Sequence, residues 1–256
     1  MNVETIVGGL AAVLVVTGLV VAAGIVVQKY VPVAVRVENN DVAGLAFAII
    51  GVLYAILLTF VVLSVWEAND AAQDNSRQEA RAVVELRRYA DTLPDDQRTR
   101  LRGLTDRYID VVAHDEWPKM ASGKALGAAG PTTVNDIWQV VDGTDPADDN
   151  RASRQAEART TLRELAAARD ARIAASDEGL PGVMWLALVI GSLITLGNAL
   201  LFGVRGRAEY LALNGMLGAM SALLLFSVYQ LEYPYQRGER VDAAVFLDAI
   251  GALAQR

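Results

Sequence analysis

Three residues in one uncharged segment, and one residue just before it, have types that could interact with an anion inside a membrane. Phe47, Gly51 and Tyr54 share one face of a helix, and Asn40 stands at its start. Aromatic ring edges and helix N-terminal amides carry partial positive charge, and glycine leaves space beside them. The same face could equally pack against another helix, with glycine and aromatic side chains interlocking. The residues alone leave both roles open, a pore lining and a helix contact.

The segment that carries these residues is long enough to cross a membrane. Val42–Trp66 holds 25 residues without a charge, between Asp41 and Glu67. About 20 apolar residues suffice to span the hydrocarbon core as a helix. Three further runs have similar length and composition. They are Thr5–Gln28, Pro181–Val204 and Tyr210–Gln230.

Four spans divide the chain into a membrane part and a polar insert. We expect spans one and two in residues 1–66, a helical extramembrane domain in 67–180, spans three and four in 181–230, and a tail in 231–256. A short connection that contains Pro32 joins the first two spans. Within the insert, the periodicity predicts helices over Asn69–Leu93, Asp95–Val112 and Arg151–Ala175, and a short helix around Thr133–Val141. Glu116-Trp117-Pro118 is expected to end the second of these, and the tail helix Val241–Leu253 to pack on the insert.

Catalytic and metal-binding chemistry finds little support in the composition. The chain has no cysteine and one histidine, His114, so it cannot form a zinc–cysteine or a multi-histidine site. An acidic loop contains Asp142, Asp145, Asp148 and Asp149, but the spacing does not match an EF-hand. No nucleotide-binding or hydrolase motif is present. We therefore expect no enzyme, no cofactor and no metal, and a solvated acidic loop.

Charge excludes one class of partner and leaves the orientation open. The formal charge is −7, and residues 67–180 hold 22 acidic against 16 basic residues, so nucleic-acid binding is not expected. The short loops concentrate Lys29, Arg36, Arg205 and Arg207, which by the positive-inside rule favours an external insert. Asn198, a strongly polar residue within the third span, is expected to face protein or water rather than lipid.

Several segments together resemble the bacterial bestrophin-like family. The matching pieces, in chain order, are Asn39–Trp66, Glu79-Ala80, Leu93-Pro94, Tyr108 through Glu116-Trp117-Pro118, Arg169 and Arg172, Leu180-Pro181, Trp185 and Leu231–Gln236. The resemblance covers nearly the whole chain, and its specificity lies in the order and spacing of the pieces.

The resemblance implies a kinship to bestrophins, which are pentameric anion channels with four spans per subunit. In them the second span lines the pore and the insert forms a cytosolic vestibule. This opposes the charge-based orientation, and by the resemblance we expect the insert to be cytosolic. By this resemblance Glu79 is expected to form a structural ion pair with Arg169 or Arg172, and Trp117 to pack between insert helices. The chain shows no acidic calcium clasp like that of the animal channels.

The sequence thus predicts an all-α integral membrane protein with four transmembrane helices and a helical insert. Its expected partners are the lipid bilayer, further copies of itself in a homo-oligomer such as a pentamer, and anions. The leading function is a bestrophin-like anion channel in the cell membrane of a bacterium, with Asn40, Phe47, Gly51 and Tyr54 lining the pore. The alternative is a non-conducting scaffold or sensor whose insert binds a partner protein.

Overall fold

Helices form nearly the whole structure, a computed structural model that describes residues 3–143, 146, 148–238 and 240–254. The chain is 85% helical, and no strand occurs in these ranges, which confirms the all-α prediction. The helices are α1 (Val3–Tyr30), α2 (Val33–Glu38), α3 (Asn40–Ala90), α4 (Asp95–Asp110), α5 (Trp117–Ala121), α6 (Ala129–Asp142), α7 (Asp149–Asp177), α8 (Gly182–Leu200), α9 (Arg207–Leu231) and α10 (Ala243–Ala254), with a π-helical turn over Val111–Glu116 between α4 and α5.

Four of these helices are long and apolar enough to cross a membrane, which confirms the four predicted spans. They are α1, the first part of α3, α8 and α9. Proline precedes three helices: Pro32 precedes α2, Pro94 precedes α4 and Pro181 precedes α8. A residue without an N–H group is tolerated at a helix start, where that group has no intrahelical partner.

Helix α3 is longer than the sequence predicts. It runs for 51 residues without interruption, so the second span and the first insert helix are one element. The expected boundary after Trp66 reflects a change in hydropathy alone. No glycine or proline lies between Val52 and Ala90, and the helix ends four residues before Pro94, the N-cap of α4.

The prediction that Glu116-Trp117-Pro118 ends a helix is wrong. Helix α4 passes into the π-helical turn, which passes directly into α5, and the helical chain ends at Ala121. Pro118 is accommodated in the first turn of α5. The wider π-helical turn precedes the proline, so the strain that a proline imposes on a continuous α-helix does not arise.

The chain divides into two compact units, which we name by their content. The spanning unit comprises Met1–Glu67 and Gly179–Glu232, and the insert unit comprises Ala68–Glu178 and Tyr233–Arg256. In the spanning unit, α1 and α9 run antiparallel, since Gly24 lies beside Tyr210 and Gly9 beside Phe226. Glycines at this contact allow the two backbones to approach closely.

The insert unit has a continuous apolar core. Its fully buried members come from every part of the unit: Leu86 in α3, Leu101 in α4, Ile137 in α6, Leu162 in α7 and Phe246 in α10. The tail therefore contributes side chains to the same core as the insert helices. Burial of such side chains is the main favourable term for folding outside the membrane.

Candidate functional site

The first predicted pore-lining residue, Asn40, is held by the backbone of Gly203. Its Nδ2 donates to the Gly203 carbonyl at 3.0 Å, and its Oδ1 accepts from the Gly203 N–H at 2.8 Å. Gly203 is buried, and a Cβ there would overlap the backbone of Val37. The Asn40 amide thus forms two hydrogen bonds with the backbone of the α8–α9 connection, one as a donor and one as an acceptor.

The two predicted aromatic residues pack on α8 and the segment that follows it in the same chain. The rings of Phe47 and Phe202 meet edge to face, with centroids 5.6 Å apart. Tyr54 covers Gly191 of α8, where an added Cβ would lie 2.6 Å from the Tyr54 ring. Both aromatic side chains are half-buried. The structure brings Asn40, Phe47 and Tyr54 together on the face of α3 that meets α8 and the segment after it.

Gly51 differs from the other three because nothing lies beside it. Apart from the adjoining backbone of α3, no atom of the described residues lies within 4 Å of the position that a Cβ would take. The opposite side of α3 is also uncovered, and five large apolar residues there are 54% to 73% exposed. They are Val42, Leu45, Ile49, Leu53 and Phe60. The chain therefore leaves Gly51 and an apolar face of α3 uncovered by its own described residues.

A second cluster lies in the core of the insert unit and centres on Arg172. The Nε of Arg172 donates to Oε2 of Glu79 at 2.6 Å, and its Nη2 donates to Oε1 of Glu79 at 3.0 Å. The same Nη2 donates to Oε2 of Glu116 at 2.6 Å. All three side chains are fully buried. A planar guanidinium suits this arrangement because it donates several hydrogen bonds in fixed directions.

Glu116 joins Arg172 to a second arginine. Its Oε1 accepts from Nη2 of Arg169 at 2.5 Å, so two carboxylates and two guanidinium groups form one neutral cluster. Glu116 is the last residue of the π-helical turn. Gly130 lies directly over the Glu116–Arg169 pair, where a Cβ would overlap the carboxylate oxygen. We find no nucleophile among these side chains, and their contacts join α3, the π-helical turn and α7.

The tyrosine at this cluster donates rather than ionises. The Tyr108 hydroxyl donates to Oε1 of Glu79 at 2.6 Å. Burial, and then the negative charge of Glu79, raise the pKa of Tyr108 well above its ordinary value. Burial opposes the charged form of Arg172, but the Glu79 carboxylate outweighs that effect and raises the pKa of Arg172. Both effects keep the cluster in its hydrogen-bonded charge state.

Trp117 connects the cluster to the tail. Its ring lies under the Arg172 guanidinium, 4.9 Å from the centroid, and its Nε1 donates to the Val241 carbonyl at 3.0 Å. The ring also lies 5.8 Å from that of Phe246. A cation over an indole face adds to the stability of a desolvated arginine. Trp117 therefore packs between the charged cluster and the tail helix.

The remaining polar candidates occupy separate places. Asn198 is half-buried, and its Oδ1 has no hydrogen-bond partner in the described ranges. His114 is exposed and lies 3.0 Å from Asp110. Asp148 caps α7 by accepting from the Arg151 N–H, whereas Asp145 of the acidic loop lies outside the described residues. The described residues contain no group of three or more acids and histidines that could hold a metal.

Two contributors were not singled out from the sequence, and a third, Arg36, was considered only for its charge in a short loop. Gly130 gives no charge or periodicity signal, and Met120, whose Sδ lies 3.3 Å from Nη1 of Arg172, resembles any core residue. Arg36 does carry a signal, because it is one cation between Val35 and Val37 in a short connection. It is buried, donates to the Phe202 carbonyl at 3.1 Å and lies over the Tyr210 ring.

Comparisons with solved structures find the same fold. A crystal structure of a bacterial bestrophin homologue from Klebsiella pneumoniae is similar at a TM-score of 0.67 and 12% identity, over 96% of this chain and 97% of that chain. A variant of that homologue is similar at a TM-score of 0.70 and 13% identity, over 95% and 98%. A crystal structure of a membrane protein variant is similar at a TM-score of 0.67 and 13% identity, over 99% of this chain and 98% of that chain. No curated protein sequence matches this chain.

The sequence itself matches a known family. The model of the bestrophin-like domain matches residues 14–246, which include most of the first span, the other three spans and the entire insert. The match and the apolar helices identify a membrane protein. The residues that first suggested the resemblance all lie within the matched range. The chain belongs to the bestrophin-like family.

Proposed function

We propose that this protein forms a homo-oligomeric anion channel in a bacterial cell membrane, with the conduction path along α3. The observation that carries the proposal is the match of the bestrophin-like domain to residues 14–246. Bestrophins are channels and not enzymes, and the family is kin to them. The order of two spans, helical insert and two spans agrees with the bestrophin layout, as does the likeness to bacterial homologue structures.

An uncovered face of α3 supports assembly from several copies. One protomer has four spans and leaves Gly51 without a neighbouring side chain. We propose that Gly51 borders the path, and that Asn40, Phe47 and Tyr54 line it where their half-buried side chains remain accessible. The Asn40 and Phe47 contacts would then also fix the position of α3 against the α8–α9 connection. By the family resemblance the insert would be cytosolic.

Chloride flux into liposomes tests the path, with Gly51 as the position to alter. We expect Gly51→Glu to reduce chloride flux about tenfold relative to Gly51→Gln, because a carboxylate in a narrow path of low dielectric repels anions. The neutral glutamine controls for size. Phe47→Arg is a less selective test, since it also breaks the ring contact with Phe202.

Leu53 provides the control for the opposite side of the helix. It is 63% exposed and lies about 200° around α3 from Gly51. Leu53→Glu and Leu53→Gln should give equal chloride flux if the path follows Gly51. An effect of charge at Leu53 alone would place the path on the apolar face. Sealed liposomes that contain intact oligomers would instead favour the non-conducting scaffold.

A further inference from the structure

We propose that the spanning unit binds the phosphate headgroup of an anionic phospholipid at the ends of α1 and α9. A pocket of about 480 Å³ opens there. Three cations line it, Lys29, Arg205 and Arg207, and its apolar wall consists of Ile25, Val33 and Val204. The proposal concerns a different surface from the conduction path and does not depend on conduction.

The antiparallel packing of α1 and α9 explains why these cations converge. Gly24 lies beside Tyr210, so the last turn of α1 is next to the first turn of α9. Lys29 is in that last turn, and Arg207 is the first residue of α9. Arg205 precedes it by two residues. Residues far apart in the sequence thus contribute positive charge to one pocket.

The positive charge of the pocket is not neutralised by acids. Its lining contains no aspartate or glutamate. Among the described residues, no carboxylate forms an ion pair with Lys29, Arg205 or Arg207. Arg36, one turn along α2 from Val33, does not line the pocket but is a further buried cation in this unit, and its Nε and Nη2 have no acceptor within the described ranges. A phosphate group suits such a site because several cations can donate charge-assisted hydrogen bonds to it.

The apolar wall favours a lipid over free phosphate. Ile25 lines the pocket and is 41% exposed, and its neighbour Val26 on α1 is 53% exposed. An acyl chain can cover this surface while its headgroup meets the cations. Inorganic phosphate would use only the charged half. The pocket also lies at the end of two membrane spans, which is where lipid headgroups are found.

Native mass spectrometry of the purified full-length protein tests the charge requirement. Micelles would contain phosphatidylglycerol or phosphatidylcholine at equal concentration. We expect selective retention of phosphatidylglycerol, reduced at least about tenfold in the triple variant Lys29→Gln, Arg205→Gln, Arg207→Gln. The control neutralises three exposed or half-exposed arginines of the insert unit, Arg77, Arg81 and Arg163, and should retain the lipid. Equal retention in both triple variants would overturn the proposal.

A second pair of variants tests the pocket itself with all charges kept. Val33→Trp would fill the pocket, whereas Val35→Trp lies on the same short helix, is 49% exposed and does not line it. Loss of phosphatidylglycerol in the first variant only is the expected result, and loss in neither contradicts a defined pocket. Calorimetric titration of the protein with inorganic phosphate distinguishes a lipid headgroup from free phosphate as the ligand. Binding of phosphate that needs the three cations, without lipid retention, would replace the lipid by a soluble anion.

Discussion

The two units differ in how fully their buried polar side chains are satisfied: in the described ranges, Nε of Arg169 is the one buried side-chain atom of the insert unit without a hydrogen-bond partner, and the others lie in the spanning unit. In the insert unit, Glu79, Glu116 and Arg172 are fully buried and satisfy one another. In the spanning unit, Thr17, Asn198 and Asn214 each bury a side-chain oxygen that has no hydrogen-bond partner in the described ranges. Water makes the burial of a charge costly unless partners replace it, so the insert unit supplies them within its own core.

The two units also differ in how far they bury their apolar side chains. The insert unit gathers them into one core, whereas α1, α3, α8 and α9 expose many of theirs. Lipid is as apolar as leucine, so burial against another helix gives little driving force in a membrane. Small residues and individual hydrogen bonds then decide the packing. The comparison predicts large effects of single substitutions in the insert unit and small ones in the spanning unit.

Arg172→Met should have the largest effect on stability. It removes the shared partner of two buried carboxylates, at a cost of about 3–5 kcal/mol. Thermal unfolding of the detergent-solubilised protein, followed by circular dichroism, measures the change. Arg163→Met on the exposed side of α7 is the control. Equal stability of the two variants would mean that the cluster does not hold the insert unit together.

Gly130→Ala should have the next largest effect. The new methyl group would overlap the Glu116 carboxylate and lie 2.6 Å from Nη2 of Arg169, so the cluster must shift. Overpacking of this kind costs about 1–3 kcal/mol. Gly103→Ala in α4 meets nothing within 4 Å and should stabilise the helix instead, by up to about 1 kcal/mol. Changes of the same sign in both variants would argue against close packing over the ion pair.

Tyr108→Phe should change how stability depends on alkaline pH. The pKa of Tyr108 is raised in the folded protein, so this tyrosine supports the fold fully below about pH 10 and loses that contribution as pH rises towards its folded pKa. Because the variant lacks the hydrogen bond to Glu79, its free energy of unfolding should be lower by about 1 kcal/mol at neutral pH. Above about pH 10 the free energy of unfolding of the variant should fall less steeply than that of the original protein. The two slopes should differ by about 1.4 kcal/mol per pH unit. Unfolding midpoints across this range test the slope, with Tyr30→Phe on α1 as the control.

Ser192→Ala should have the smallest effect, although it removes a hydrogen bond between two spans. The hydroxyls of Ser192 in α8 and Ser221 in α9 lie 2.6 Å apart. Such bonds contribute about 0.6 kcal/mol on average inside membranes. Ser227→Ala, whose hydroxyl bonds only within its own helix, is the control. A loss as large as that of Arg172→Met would remove the contrast between the two units.

The sequence predicts the spans well because long uncharged runs have no other common use. It does not predict the continuity of α3, since the polar residues after Trp66 change the hydropathy but not the capacity to form helix. The spacing of Phe47 and Tyr54 identifies a shared face, yet it cannot identify the partner of that face. That partner, Phe202 or Gly191, lies more than a hundred residues away.

The charged cluster was predictable in kind but not in detail. Charge complementarity leaves two partners open for Glu79, because Arg169 and Arg172 are three residues apart and share one side of α7. The structure pairs Glu79 with Arg172 and brings Glu116 between the two arginines. Hydropathy carries no information on such pairings, which depend on how three separate helices meet.

The π-helical turn sets the direction in which Glu116 points. A turn of this kind corresponds to one residue added to an α-helix. Deletion of one residue between Val111 and Ala113 would restore α-helical geometry and rotate Glu116 by about 100°, away from both arginines. The inserted residue and the two arginines therefore depend on one another. A variant without that residue would need a different acid to neutralise Arg169 and Arg172.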